Sequence, residues 1–472
     1  MTDDLELSAL GAAAAAAIGY RKTVLAAERT PTADYAQMLA AFAGPTPERG
    51  GDGAAIIEEL VRLATPGIRA ATGRRFFGWV IGGSHPTGVA ADWLTAIWGQ
   101  NAGNLVAAPA AAAVEAVAAG WLLDLLGLPA AASVGLVTGA TVANFVCLAA
   151  ARSEVLRRVG WDVEADGLFG APPVTVLIGA DAHATVYSGL KYLGLGARRV
   201  TVVDTDDLGR IQPDAFERAL KSVTGPAIAI AQAGQINTGA SDPFAALAPM
   251  AREAGAWLHI DGAFGLWAQA CPTRAGETAG VEAADSWAVD GHKWLQTPYD
   301  CGFAIVRDAE AHRRAMAISA SYLPPAEGAE RDPSAYVPEL SRRARGFATW
   351  AMIRQFGRVG IAEMVERCCA LAARMAHAIA AEPGAALVCP VGLNQFMIRF
   401  GADADAAEGD RLTQATIQAV QDDAVAFIGG AQWRGRWVMR VSVTSASTDE
   451  AAADATVASV LRAWRAARAA VG

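Results

Sequence analysis

SWAVDGHKWLQTPYDCGF, residues 286–303, begins as an apolar strand-like run, Ser286–Val289, and delivers Asp290, His292 and Lys293 at its end. Taken alone, a lysine behind a strand is a solvated terminus. Its meaning depends on which other strands reach the same edge. Working outward, short β-branched runs recur at Val174–Ile178, Arg199–Val203, Ala227–Ala231, Trp257–Ile260 and Phe303–Val306, separated by amphipathic segments. That alternation predicts βα units and a mostly parallel sheet. Between the second and third of these runs, GRIQPDAFERAL sets Pro213 in a first helical turn and Phe216, Ala219 and Leu220 at helical spacing, which predicts a crossover helix.

Two other stretches carry groups that a ligand needs. LVTGATVANFVCLAAAR, from Leu136, reads as a strand, a small-residue turn and a helix with Val142, Phe145, Leu148 and Ala149 on one face. Backbone N–H groups at Thr138, Gly139, Ala140 and Thr141 would be free at the helix N-terminus, where donors and dipole together favour a phosphate. Many β-to-α turns share this shape, and it is neither a Walker A nor a GxGxxG fingerprint. AWLHIDGAFG ends an apolar strand at Asp261, and alternation puts Trp257, His259 and Asp261 on one side of the sheet. A carboxylate in that position is costly unless paired. As a bland feature it is a helix cap or turn residue; as a functional one it partners a protonated ring nitrogen, with His259 orienting it. An anion cradle, a carboxylate for a pyridinium and an amine for an aldehyde are together what pyridoxal phosphate requires.

Composition narrows the alternatives. The 472 residues are 53% hydrophobic and 18% charged, with a net charge of −9 and no dense Lys/Arg block. A small-molecule enzyme is expected, with no nucleic-acid or membrane partner. The longest apolar stretch, Val106 to Leu128, is interrupted by Pro109, Glu115 and Asp124 and reads as buried helix. The acidic start Met1-Thr2-Asp3-Asp4 lacks the basic region of a leader, and the six cysteines (147, 271, 301, 368, 369 and 389) show neither a disulfide framework nor a zinc pattern. A cytoplasmic protein with reduced cysteines and no metal site is expected. Residues 1–75 are Ala-rich and helical, SYLPPAEGAERDPSAYVPEL from Ser321 is a long proline-rich loop, and from Thr349 a long helix, the strands NQFMIRF and RWVMRVSV and a closing helix predict a smaller α+β domain.

The motifs resemble those of the group II pyridoxal phosphate-dependent decarboxylases, the family of the aromatic-L-amino-acid, tyrosine, glutamate and diaminobutyrate decarboxylases. The resemblance runs from about Phe76 to the C-terminal region. DGHKWLQTPYDCG matches the His-Lys-Trp signature, and Lys293 follows Asp261 by 32 residues, as in that family. The resemblance implies the fold-type I, aspartate aminotransferase-like architecture: an N-terminal dimer-forming arm (1–75), a large α/β domain (76–348) and a small C-terminal domain (349–472). It implies a homodimer whose active sites lie at the subunit interface, each covered by the other subunit's mobile loop, 320–340. By the same resemblance Lys293 holds the cofactor, Asp261 meets its ring nitrogen, His183 in LIGADAHATVYSGLKYLGLG stacks on its ring, and Ala140, Thr141, Asn237, His292 and Asp290 complete its binding site.

Tyr336 resembles the loop tyrosine that protonates the product carbon, and Phe77 and Trp79 stand in the segment that lines the substrate side chain. Gly82 and Gly83 replace bulkier residues there and suggest a differently shaped pocket. The resemblance implies decarboxylation of an L-amino acid, with an aromatic one favoured by the absence of a basic pair. The rivals are another fold-type I reaction, such as a transaminase, a lyase or an aldehyde-forming oxidative decarboxylase, and a non-catalytic protein that only binds the cofactor.

Overall fold

The computed structural model describes residues 2–25, 30–318 and 331–470. Its larger sheet has seven strands: β1 Ser133–Val137, β2 Thr175–Gly179, β3 Thr201–Val203, β4 Ala227–Gln232, β5 Trp257–Asp261, β6 Ser286–Asp290 and β7 Gly302–Val306. They lie in the order β1-β7-β6-β5-β4-β2-β3. Neighbours from β6 to β3 pair in parallel, whereas β7 runs antiparallel to both β1 and β6. Every strand run read from the sequence is present, and the crossover helix forms at Pro213–Lys221 with its proline in the first turn. The reversed direction of β7 is invisible in its composition. All five of its residues are buried, like those of β1, β5 and β6, so direction leaves no mark on the apolar pattern.

Helix Ala140–Arg157 crosses one face of this sheet, packing Ala143, Val146, Cys147 and Ala150 into a core with Ile178, Ile230, Trp257 and Ala288. The opposite face buries Leu258, Ile260, Trp267, Trp287 and Val289. Strand register then decides what reaches the carboxyl edge. Asp261 lies opposite Gln232 on one side and Ala288 on the other, and Asp290 lies opposite Gly302. The turn after β1 reaches the same place because a Cβ on Gly302 would stand 2.5 Å from the Cα of Gly139, so only glycine allows this approach.

The smaller sheet contains β8 Ala385–Leu387, β9 Gln395–Phe400, β10 Gly429–Trp433 and β11 Arg436–Ser442, antiparallel in the order β10-β11-β9-β8. Helices Gly346–Ala380, Ala406–Asp423 and Glu450–Ala469 accompany it, and the first is interrupted at Gly357, whose φ of 60° departs from the helix. The expected strands NQFMIRF and RWVMRVSV form β9 and β11. The Gly-rich edge strand β10 carries no strand signal of its own. Phe77 also joins this small sheet: its N–H donates to the carbonyl of Phe427 and its carbonyl accepts from Ser442.

The expected N-terminal arm consists of helices Thr2–Val24, Tyr35–Phe42 and Gly53–Ala64, and the latter two bury none of their residues within one chain. Of the expected loop, residues 320–330 lie outside the described residues. Its downstream end is held by an ion-pair cluster. Glu115, with no exposed surface, accepts from Arg331 at 3.0 Å and from Arg342 at 2.8 and 2.9 Å, and the two arginines also donate to the β1 carbonyls of Val134 and Leu136. A buried pair stripped of one partner leaves an uncompensated charge, at a cost of about 3–5 kcal/mol. Glu115→Gln is therefore expected to lower the denaturant midpoint by an amount equivalent to about 3 kcal/mol, measured by urea unfolding followed by circular dichroism.

Candidate active site

The carboxyl edge of the larger sheet opens into a cavity of about 300 Å³. This volume lies at the lower end of the range for small-molecule sites. Each contributing element ends at the cavity for a local reason: β5 ends on Asp261, β6 on Asp290, the turn after β1 supplies Thr138–Thr141, and His183 precedes helix Ala184–Tyr192. Ile236, Phe264 and Tyr299 add apolar wall. His183 is exposed at its N-cap position, with Nδ1 accepting from the N–H of Thr185 at 3.3 Å. It is thus both the polar cap that a bland reading expects and a group facing the cavity.

Around Lys293 the charges are paired. Its Nζ stands 3.0 Å from Asp290 Oδ2, while Asp290 Oδ1 accepts from the N–H of Ala140 at 2.6 Å. Trp267 Nε1 donates to the Asp290 carbonyl at 3.0 Å and fixes that strand end. His292 Nδ1 accepts from Cys301 N–H at 3.4 Å, leaving Nε2 to face Asp290 Oδ1 at 3.5 Å. Burial, with Lys293 adding to it, holds His292 below the usual imidazole range against the pull of Asp290. Its ring packs on Tyr299 with centroids 4.3 Å apart, and burial followed by Asp290 pushes the Tyr299 phenol up to about 12.

Asp261 is different. It is 6% exposed and has no cationic partner among the described residues; Asn144 Nδ2 donates to its Oδ2 at 3.2 Å and Ala263 N–H to its Oδ1 at 3.3 Å. A buried carboxylate that faces a cavity without a countercharge fits a protonated ring nitrogen. Helix Ala140–Arg157 also opens on the cavity: its N-cap residue, Gly139, has no side chain and its first turn has no acid, so beyond the Ala140 N–H taken by Asp290 its N-terminal donors fit a phosphate. Lys293 completes the requirements of pyridoxal phosphate. The residues present therefore fit that cofactor.

His259, expected to orient Asp261, does so only through Asn144: its Nε2 lies 2.8 Å from Asn144 Oδ1 and its Nδ1 2.9 Å from Ser286 Oγ. Sequence reasoning missed Asn144 and Tyr299. The available signal for Asn144 was a single polar residue in the apolar run Val142–Ala151.

Several expected residues do not line the cavity of their own chain. Phe77 is drawn into the core by its pairing with the small sheet, and Trp79 packs on Phe76 and Phe427 at the surface. Asn237 sits in a turn whose N–H groups are taken by Gln235 Oε1, and its neighbour Ile236 faces the cavity instead. The Tyr336 ring stands against His312 and Arg331, and its carbonyl meets His312 Nε2 at 3.0 Å. Gly82 is small for backbone reasons, not to reshape the pocket: a Cβ there would lie 2.1 Å from the Lys293 carbonyl oxygen. Its N–H donates to the His292 carbonyl, Gly83 N–H donates to Gln296 Oε1, and Gln296 Nε2 donates to the carbonyls of Lys293 and Thr444, each at 2.8 Å. Arg440 donates to the carbonyl of Ile236 at 3.1 Å, and burial lowers it to about 10.

Fold and site together define a fold-type I pyridoxal phosphate enzyme. The pyridoxal-dependent decarboxylase conserved domain matches residues 36–399. The chain belongs to the pyridoxal-dependent decarboxylase family. It is 26% identical over 383 residues to an aromatic-L-amino-acid decarboxylase of Bacillus atrophaeus, covering 80% of this chain and 77% of that protein. It is 27% identical over 356 residues to 4-hydroxyphenylacetaldehyde synthase of Rhodiola rosea, covering 72% and 71%. The crystal structure of Oryza sativa TDC with PLP and tryptamine superposes with a TM-score of 0.91 over 98% of each chain at 22% identity. Among the described residues no helix is long and apolar enough to cross a membrane.

Burial holds His259 down to about 3, so its ring stays neutral. Selective 15N-histidine NMR is expected to show a ring protonated on Nε2 only that does not titrate between pH 5 and 8; a resonance that titrates near the ordinary value would show the ring to be solvated.

Proposed function

We propose that this protein decarboxylates an aromatic L-amino acid to the corresponding amine and CO2. The observation that carries the reading is that Lys293 and Asp261, a carboxylate without a cationic partner among the described residues, face one cavity beside the N-terminal turn of helix Ala140–Arg157. Bound pyridoxal phosphate supplies an aldehyde that takes up the substrate amine and a conjugated ring that accepts the electron pair left by departing CO2. Lys293 would hold that aldehyde between turnovers, and the Thr138–Thr141 turn would hold the phosphate. Asp261 would keep a proton on the ring nitrogen, because a carboxylate beside it raises that nitrogen's pKa. His183 would stand beside the ring, and Ile236, Phe264 and Tyr299 give the cavity apolar wall that limits water. The aromatic substrate class rests on the names of the relatives and on that apolar wall.

The protein acts as a homodimer in this proposal. Tyr35, Leu39, Phe42, Ile56 and Leu60 lie exposed on the two N-terminal helices that bury nothing within one chain, and a second copy would cover them. Tyr336 would act, from the partner subunit, as the acid that protonates the product carbon. Six free cysteines support a cytoplasmic location.

A second reading, aldehyde formation with loss of the amine, is favoured by the Rhodiola rosea relative. Incubation of the reconstituted protein with each aromatic L-amino acid is expected to release one equivalent each of CO2 and amine, with both the turnover and the visible absorbance of the protein lost in Lys293→Ala. A keto acid product, or CO2 accompanied by aldehyde, would overturn the proposal. Tyr336→Phe is expected to shift product from amine toward aldehyde, read by mass spectrometry. An unchanged ratio would remove Tyr336 from the chemistry and leave it a structural contact of His312 and Arg331.

A further inference from the structure

Behind Asp261 runs a buried chain of hydrogen bonds in which every direction is determined. Asp261, as a carboxylate, only accepts, so the Asn144 amide must turn its NH2 toward it, and its Oδ1 then faces His259 Nε2. That oxygen also only accepts, so Nε2 carries the imidazole proton and Nδ1 is bare. Ser286 therefore donates its hydroxyl proton to His259 Nδ1, and the oxygen of Ser286 accepts from Trp257 Nε1 at 2.9 Å. The indole N–H is a donor only, so the far end of the chain imposes the same direction as the near end. Trp257, Ser286, His259 and Asn144 are all buried, with nothing charged among them while His259 is neutral.

The amide of Asn144 has a second N–H, and it points at Thr185 Oγ1, 3.5 Å away. That hydroxyl lies 2.8 Å from His183 Nδ1, which already accepts from the Thr185 backbone N–H, so the hydroxyl proton goes to the ring. One NH2 group thus serves both residues proposed to touch the cofactor's ring, Asp261 and His183. An amide free to rotate would present its oxygen to Asp261, replacing a donor with a repelling lone pair. The proton on His259 Nε2 prevents that rotation.

We propose that Asn144 is the positioning residue that sets Asp261 and His183 together for the cofactor ring, and that His259, held by Ser286 and Trp257, acts as the latch on its orientation. The proposal rests on Asp261 being the partner of the cofactor's ring nitrogen. A hydrogen bond to a charged group contributes about 1.5–3 kcal/mol, or about tenfold to a hundredfold in an equilibrium constant.

The test is the dissociation constant and bound absorption spectrum of pyridoxal phosphate, titrated into cofactor-free full-length protein, with the thermal midpoint of the same samples measured alongside. Asn144→Asp, close to isosteric, is expected to weaken cofactor binding about tenfold or more and to change the ratio of the bound absorption bands. His259→Leu is expected to do the same, whereas His259→Gln, which keeps an N–H for Asn144 Oδ1, should recover most of the affinity and the spectrum. Unchanged binding and spectrum in Asn144→Asp, or in His259→Leu with only the thermal midpoint lowered, would overturn the latch. So would a His259→Gln variant as impaired as His259→Leu. Asp261→Asn separates the two levels: if it too leaves binding and spectrum unchanged, the ring-nitrogen reading itself fails, whereas an effect there without one at Asn144 removes the latch alone.

Discussion

A carboxylate buried at the end of a central strand, without a cation among the described residues to answer it, is the constraint on which the rest of this molecule turns. Asp261 is placed by the register of β5 against β4 and β6, and the cost of desolvating it is offset only in part by the N–H groups of Asn144 and Ala263. The remaining demand is for a positive charge in the cavity. The protein's own ammonium group does not supply it, because Lys293 is engaged with Asp290. Two acids at one sheet edge therefore differ: Asp290 is paired with Lys293, whereas Asp261 faces the cavity with no cationic partner among the described residues.

Much of this arrangement was legible because open parallel sheets bind ligands at the carboxyl ends of their strands. Lys293, Asp261 and the Thr138–Thr141 turn follow apolar runs directly, so naming the strands was enough to bring them to one edge. Residues whose positions depend on remote pairing were not legible. Phe77 and Trp79 sit in an aromatic-rich stretch suited to lining a pocket, yet the pairing of Phe77 with Phe427 and Ser442 pulls that stretch onto the small sheet. Gly82 looked like freed space and is instead a close contact between two backbones. Asn144 was hidden for the opposite reason. Its helix is buried on nearly all sides, so no polar face marked the one amide that points inward.

The apolar core and the polar chain behind Asp261 are built from the same residues of the same strands. Trp257 fills the core beneath helix Ala140–Arg157 with its ring while its indole N–H starts the hydrogen-bond chain. Packing thereby fixes the direction of the chain as firmly as chemistry does, since a ring fully buried in that core cannot turn its N–H elsewhere. A satisfied polar network within a dense core is rigid, and rigidity is what a group aimed at a planar ring requires.

Gln296 joins the backbone of Lys293 to Gly83 and to Thr444, just beyond the last strand of the small sheet. No hinge can pass between Lys293 and that sheet without breaking these bonds, so a tilt of the small domain would carry the lysine with it. Widening the entrance then falls to exposed side chains of the cavity lining such as His183 and Tyr299.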